Sequence, residues 1–199
     1  MEQKKPVDRR TQIVEAAGQS FAMFGYKATT MELVSKIAAV GKGTIYTFFP
    51  TKEDLFGEII RQLTLELRIV AERTIDHKRP FFENLADVLY ELLIFREKHE
   101  LIVKLSQEVR DIGTPMAKEG IAKMEQAIVQ FIQQRVSTAV QKGELRQVDA
   151  ELTAFVMIRL YLALAVEWSK EHESLTKEEV TSYFISLMKN GVGAKVEEC

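Results

Sequence analysis

The chain has 199 residues, 46% hydrophobic and 28% charged, which is enough to bury a core in one large or two small domains and excludes a disordered polyelectrolyte. Its formal charge of −2 hides a tilt, because residues 1–55 hold eight Lys and Arg against six Asp and Glu and the acidic surplus lies beyond them. A single cysteine, Cys199, excludes a disulfide framework and a cysteine-based metal site, and makes a reducing cytoplasm the expected home.

The opening MEQKKPVDRR is charged with no apolar segment, unlike a secretory signal. Lys4, Lys5, Arg9 and Arg10 form a basic arm with two readings, a DNA contact or a solvated tail. Ile13, Ala17, Phe21 and Phe24, spaced by four, four and three, give the core face of a first helix, which Gly25 closes. Thr29 caps a second helix, Glu32 reaches back to it as a capping box, and Met31, Val34 and Ala38 fall at helical spacing beside the small Ser35 and Ala39. After Val40 and Gly41 the segment from Lys42 to Phe49 resumes a helix, packed by Ile45 and the Phe48/Phe49 pair, with Lys42, Thr44, Tyr46 and Thr47 facing outward. A short helix anchored by one face, with a basic and hydroxyl-rich face at its N-terminal end, suits a major groove and the flanking phosphates. Pro50 ends it, and Thr51 with Asp54 makes another box-like start for a long helix from Lys52.

With those residues in view, GKGTIYTFFPTKEDL resembles the recognition helix and following segment of the TetR/AcrR family of bacterial transcriptional regulators, which typically read S-K-G-T-I-Y-x-Y-F-x-S-K-E-x-L. Lys42, Gly43, Thr44, Ile45, Tyr46, Phe49, Lys52, Glu53 and Leu55 fall on the pattern, within the first quarter of the chain. The resemblance implies that Lys42, Gly43, Thr44 and Thr47 lie near bases or backbone and that Thr30, Tyr46 and Lys52 anchor phosphates. Four positions depart from it: Ala39 stands where the turn usually has Gly, Gly41 where Ser often caps, Thr47 where His is common and Phe48 where Tyr is common.

Farther on, Leu55, Ile59, Leu63, Leu67 and Val70 stripe the long helix, which is expected to reach about Asp76. Pro80 opens the next helix, whose apolar face runs from Phe81 to Leu93, and after a charged break at Arg96 to Glu100 a short helix passes through Leu105 to Asp111. Gly113-Thr114-Pro115 separates it from a helix carrying Ile121, Met124, Ile128, Phe131 and Ile132 to Lys142, and Gly143 ends that one. The phrase GELRQVD is similar to a connector of the same family. Leu152 to Val166 is apolar almost all round, so it must be covered on more than one side; with Arg159 inside and less than the ~20 residues a bilayer needs, it is no membrane span. Thr176 and Glu179 form a capping box before Val180, Tyr183, Phe184, Leu187 and Met188, another helical face.

No stretch alternates as a strand would, so the expected fold is all-α: an N-terminal three-helix helix-turn-helix domain, residues 1–51, and a larger helical effector-binding and dimerisation domain, residues 52–199. His77, His99 and His172 are not at metal-ligand spacing, Gly41-Lys42-Gly43-Thr44 lacks the first Gly and the strand of a phosphate loop, and no catalytic motif is present, so neither metal, cofactor nor enzyme activity is expected. Tyr90, Phe95, Met124, Phe131, Tyr161 and Trp168, with Met157, are candidates to line an effector cavity with Arg159 and Glu167 as polar anchors, although ordinary core packing explains any one of them. Arg159, amid apolar neighbours, either pairs with a carboxylate, crosses a subunit interface or meets an acidic ligand. The expected protein is a cytoplasmic regulator, a homodimer through its last two helices on a palindromic double-stranded DNA operator, released by a small apolar or amphipathic effector. The alternative is a helical protein-interaction adaptor without DNA binding.

Overall fold

The computed structural model describes residues 8–193 except residue 112, so Lys4 and Lys5 of the basic arm and the terminal Cys199 lie outside the described residues. Among the described residues the secondary structure is helical, with an isolated antiparallel bridge between Leu145 and Gly193. The helices are α1 (Arg9–Ala28), α2 (Met31–Ile37), α3 (Lys42–Phe48), α4 (Lys52–Thr74), α5 (Phe81–Lys98), α6 (Glu100–Asp111), α7 (Pro115–Gln141), α8 (Ala150–Leu162) and α9 (Lys177–Val192). A π-helical turn, Ala163–Glu167, and a 3-10 turn, Trp168–Lys170, prolong α8. No described helix is long and apolar enough to cross a membrane.

Two compact units divide the chain: residues up to Leu65 with Arg96–Met124, and Glu66–Phe95 with residues from Glu125 onward. The unit that holds α1 to α3 therefore also takes in the first half of α4, all of α6 and the start of α7.

In the first unit Ile13, Ala17 and Phe21 are buried as their spacing predicts, but Phe24 is exposed. The cause is Gly25, whose φ of 79° and ψ of 173° break the helical path and turn Tyr26 inward in its place. Tyr26 stacks on Phe21 with ring centroids 5.7 Å apart, and both meet Phe56 of α4 edge-on at 4.8 and 5.3 Å. Each such buried aromatic contributes about 1.5–3 kcal/mol by removal of apolar surface from water.

The second unit closes around Leu89 and Leu93 of α5, Val136 and Ala139 of α7, Met157 of α8, and Val180, Phe184 and Met188 of α9. Gly143, at φ 74°, ends α7 and turns Leu145 into this core. Asp149 caps α8 by accepting from the Leu152 amide at 2.8 Å. The expected box at α9 is present, with Thr176 N donating to Glu179 Oε2 at 2.8 Å and Glu179 N donating to Thr176 Oγ1 at 3.2 Å. The prediction that α8 is covered on several sides holds for Ala154, Met157 and Ile158 within the chain, whereas Leu152, Phe155 and Val156 are exposed.

Candidate nucleic-acid interface

The helix-turn-helix is built on two threonines with divided roles. Thr30, not Thr29, caps α2, its hydroxyl accepting from Leu33 N at 3.1 Å. Thr29 cannot serve because its side chain is fully buried: its hydroxyl donates to Gly25 O at 2.9 Å and lies 3.1 Å from Ser20 Oγ. Glu32 is accordingly free of the predicted box and pairs with Lys36 at 3.0 Å. Between the helices Ala39 takes a φ of 50°, a left-handed conformation costing roughly 1–2 kcal/mol for a residue with a Cβ. The surrounding bonds hold it there: Gln12 of α1 donates to Ala38 O at 2.8 Å, and Val40 N donates to Ser35 O at 3.0 Å. The substitution of Ala for the family's usual Gly thus leaves the tight turn intact.

Along α3, Ile45 is buried and the adjoining Phe49 inserts beside it four residues on, while Phe48 is exposed. One turn of helix carries only one of two adjacent rings to the core, and the predicted Phe48/Phe49 pair is split for that reason. Lys42, Gly43, Tyr46 and Thr47 are exposed and Thr44 half-buried, so the outward face is as expected. Thr47 Oγ1 donates back to Gly43 O at 3.0 Å. A methyl group built on Gly43 would meet nothing within 4 Å.

Lys52 sits differently from an outstretched phosphate anchor. Its ammonium donates to Tyr26 O at 3.0 Å and Thr29 O at 3.1 Å and lies 4.1 Å from the centre of the Tyr26 ring. It thereby ties the start of α4 to the end of α1. Thr51 and Asp54 form the predicted box, with Asp54 N donating to Thr51 Oγ1 at 3.0 Å and Thr51 N to Asp54 Oδ2 at 3.2 Å. The Tyr26 phenol donates to Glu53 at 2.6 Å; burial, reinforced by this bond, pushes the phenol well above its ordinary pKa, while the same bond lowers that of the Glu53 carboxyl. Arg10, expected in an arm before the helix, lies in the first turn of α1, where it sits 5.3 Å over the Phe49 ring and bonds Glu58 at 3.2 Å. Glu58 is held down to about 2, chiefly by Arg61, with help from Arg10 and Gln62.

One support was absent from the sequence reading. Glu108 of α6 is buried, and its two carboxylate oxygens accept from Tyr26 N at 2.5 Å and Lys27 N at 3.1 Å, the amides exposed by the break at Gly25. A Cβ on Gly25 would lie 2.4 Å from Glu108 Oε2. An acidic residue on a helix otherwise patterned for burial was the available signal, yet its partners lie 82 and 81 positions away in sequence.

Of the effector candidates, Phe131 and Met157 line one cavity in the second unit. In the second unit Tyr90 donates its hydroxyl to Glu178 at 2.8 Å, Phe95 is buried, Tyr161 packs against the core, and the exposed Trp168 stacks on His172 at 3.9 Å. Met124 belongs to the first unit. Arg159 takes the first of its three options, pairing with Glu125 at 2.5 Å while its guanidinium lies 5.2 Å from the Phe155 ring. The cavity that Phe131 and Met157 line, of about 120 Å³, lies among α5, α7 and α8. Among the described residues no group of three or more His, Cys, Asp or Glu could hold a metal ion.

Residues 13–59, from the core of α1 into α4, match the sequence profile of bacterial regulatory proteins, tetR family. The whole chain is similar to the HTH-type transcriptional regulator YhgD of Bacillus subtilis (strain 168), at 44% identity over 94% of this chain and 98% of that one. It is also similar to the HTH-type transcriptional repressor KstR2 of Rhodococcus jostii (strain RHA1), at 26% identity over 94% and 92% of the two chains. Among solved structures, the SmeT–triclosan complex shares the fold with a TM-score of 0.77 at 18% identity, covering 94% of this chain and 92% of that one.

Proposed function

We propose, from the premise that the chain belongs to the TetR family of bacterial regulatory proteins and is a DNA-binding transcriptional regulator rather than an enzyme, that it acts in the cytoplasm as a homodimeric repressor on a palindromic operator and is released by a small molecule. In this reading residues 1–51 read DNA and residues 52–199 hold the dimer and effector surfaces. Lys42, Gly43, Thr44 and Thr47 meet bases and backbone, and Thr30 and Tyr46 meet phosphates. Lys52 acts mainly by fixing α4 to the end of α1, with only its remaining N–H for a phosphate.

The observation that carries the DNA face is Gly43. A glycine within a helix costs up to about 1 kcal/mol relative to alanine, and no neighbour in the protein requires its missing side chain. A backbone that must come close to a duplex explains it. Dimerisation is supported by the stripe Leu152, Phe155, Val156 and Arg159 on α8, at i, i+3, i+4 and i+7, and by Tyr183 and Leu187 on α9, all exposed on a single chain. Ligand release is supported by the cavity in the second unit and by the small molecule in the SmeT complex.

The test begins with selection of bound genomic fragments to obtain an operator. On it, Gly43→Ala should weaken binding while leaving the protein as stable or slightly more so, and Lys42→Ala and Tyr46→Phe should weaken binding without loss of fold. Affinity should fall with salt at a logarithmic slope of about −0.9 per phosphate neutralised. Parent-like affinity in all three variants would refute this placement of α3.

A further inference from the structure

We infer that the cavity of the second unit is a site for a ring-sized organic acid, one aromatic or alicyclic ring bearing a carboxylate, with Arg135 and Lys142 as the groups that recognise the anion. The inference deepens the proposed ligand response by naming the class of ligand.

Size comes first. The cavity holds about 120 Å³, and an engineered apolar cavity of about 150 Å³ in another protein takes one benzene. Its apolar wall is supplied by Ile75, Leu85, Val88, Phe131, Ile132 and Met157, and its volume matches a single ring and is too small to enclose a long chain.

Charge comes second. Two of the charged groups around the cavity already have protein partners: Arg79 pairs with Glu83 at 2.9 Å and with Asp87, and Glu144 is turned to the start of α5, where it accepts from Phe81 N at 2.5 Å. Arg135 and Lys142 have no carboxylate partner among the described residues. Arg135 is half-buried with its guanidinium 5.0 Å from the Phe131 ring, which holds the flat fork against the apolar wall with no carboxylate on its N–H donors among the described residues. A carboxylate satisfies such a fork with two parallel charge-assisted bonds, an alcohol offers one weaker acceptor, and an amine is repelled.

The experiment titrates the full chain, free of DNA, with benzoate, phenylacetate, benzyl alcohol and benzylamine by calorimetry, with dodecanoate as the oversized acid. The two ring acids should bind at least about tenfold tighter than benzyl alcohol, and benzylamine and dodecanoate should bind more weakly than either acid. Arg135→Gln should remove that advantage and leave the alcohol unchanged; Val88→Trp, which fills the cavity, should abolish both with helix content intact by circular dichroism. Equal binding of benzoate and benzyl alcohol, absence of acid binding, or acid binding indifferent to Arg135→Gln and Val88→Trp overturns the site. Operator retention is measured separately. Acid binding that depends on Arg135 without operator release leaves the site standing and removes the release mechanism, whereas release by a compound that binds elsewhere does the reverse.

Discussion

Both units aim polar side chains at their own backbone, as Asn84 and Glu144 do in the second, but they differ in what they leave unmatched. In the first, polar side chains are directed at the chain's own backbone: Gln12 at Ala38 O, Lys52 at Tyr26 O and Thr29 O, Thr29 at Gly25 O, and Glu108 at two amides. In the second, a cavity remains between helices, two cations beside it have no carboxylate among the described residues, and an apolar stripe faces outward. On the proposed reading the difference follows from the task. A helix that must register against a duplex has to be held in one geometry by satisfied, short-range bonds, because a buried unsatisfied amide costs about 1–3 kcal/mol and disfavours alternatives. A unit that binds a small molecule and a second copy needs surface and space left unmatched until the partner arrives.

The comparison can be broken most directly at Gly25. Gly25→Ala puts a Cβ 2.4 Å from Glu108 Oε2 and forces a non-glycine residue into φ 79°, so a loss of about 3 kcal/mol or more is expected, roughly a 6–12 °C fall in Tm for a chain of this size. Glu108→Ala should cost about 1–3 kcal/mol by stranding the Tyr26 amide, with Glu108→Gln between it and the parent, since one oxygen acceptor is kept. Thermal unfolding checks the order Gly25→Ala, Glu108→Ala, Glu108→Gln; a silent Glu108→Ala would mean that α6 does not hold the end of α1.

In the second unit the corresponding change should alter assembly rather than folding. Leu152 and Phe155 are 62% and 49% exposed, so the double change Leu152→Glu with Phe155→Glu should shift unfolding of the single chain by within about 0.5 kcal/mol while abolishing the dimer. Light scattering at micromolar concentration reads the result, and a variant that remains a dimer would assign the interface elsewhere.

A smaller effect distinguishes charge from packing in the first unit. The Glu58 carboxyl is held down to about 2 by Arg61 and Arg10, below its ordinary value of 4.5. A carboxyl with a depressed folded-state pKa contributes stability that is present above the unfolded value and lost as pH falls through the folded value. The Tm gap between the parent and Glu58→Gln should therefore be constant above about pH 5, shrink from about 4.5 downward, and vanish near 2. A gap independent of pH would make Glu58 a packing residue. Smallest of all, Ala39→Gly should relieve the left-handed alanine and, after the extra freedom of the unfolded glycine is subtracted, stabilise by at most about 1 kcal/mol. Urea unfolding at unchanged m-value tests it.

Much of this molecule is local in origin and was legible as such. Helical period placed α1 to α9 within a few residues, and the boxes at Thr51/Asp54 and Thr176/Glu179 read correctly because both partners lie within one turn. Gly143 read correctly as an end because positive φ is open to glycine itself, whereas Gly25 breaks α1 without ending it, the helix resuming to Ala28. The outward residues of α3 followed from the inward Ile45 and Phe49.

What the sequence by itself determined, then, is the helical order, the caps that close on themselves and the outward face of α3, each decided by interactions spanning about four residues. Tertiary structure alone decided which of two like neighbours goes inside: Tyr26 in place of Phe24, Phe49 rather than Phe48, Thr29 buried so that Thr30 becomes the cap. It alone joined Glu108 to Tyr26, put Arg159 on Glu125, and left its cavity beside Phe131 and Arg135 instead of among the other aromatic candidates. Those choices depend on the direction of a side chain relative to elements tens of residues away, and helical spacing fixes a face only to within the width of one residue.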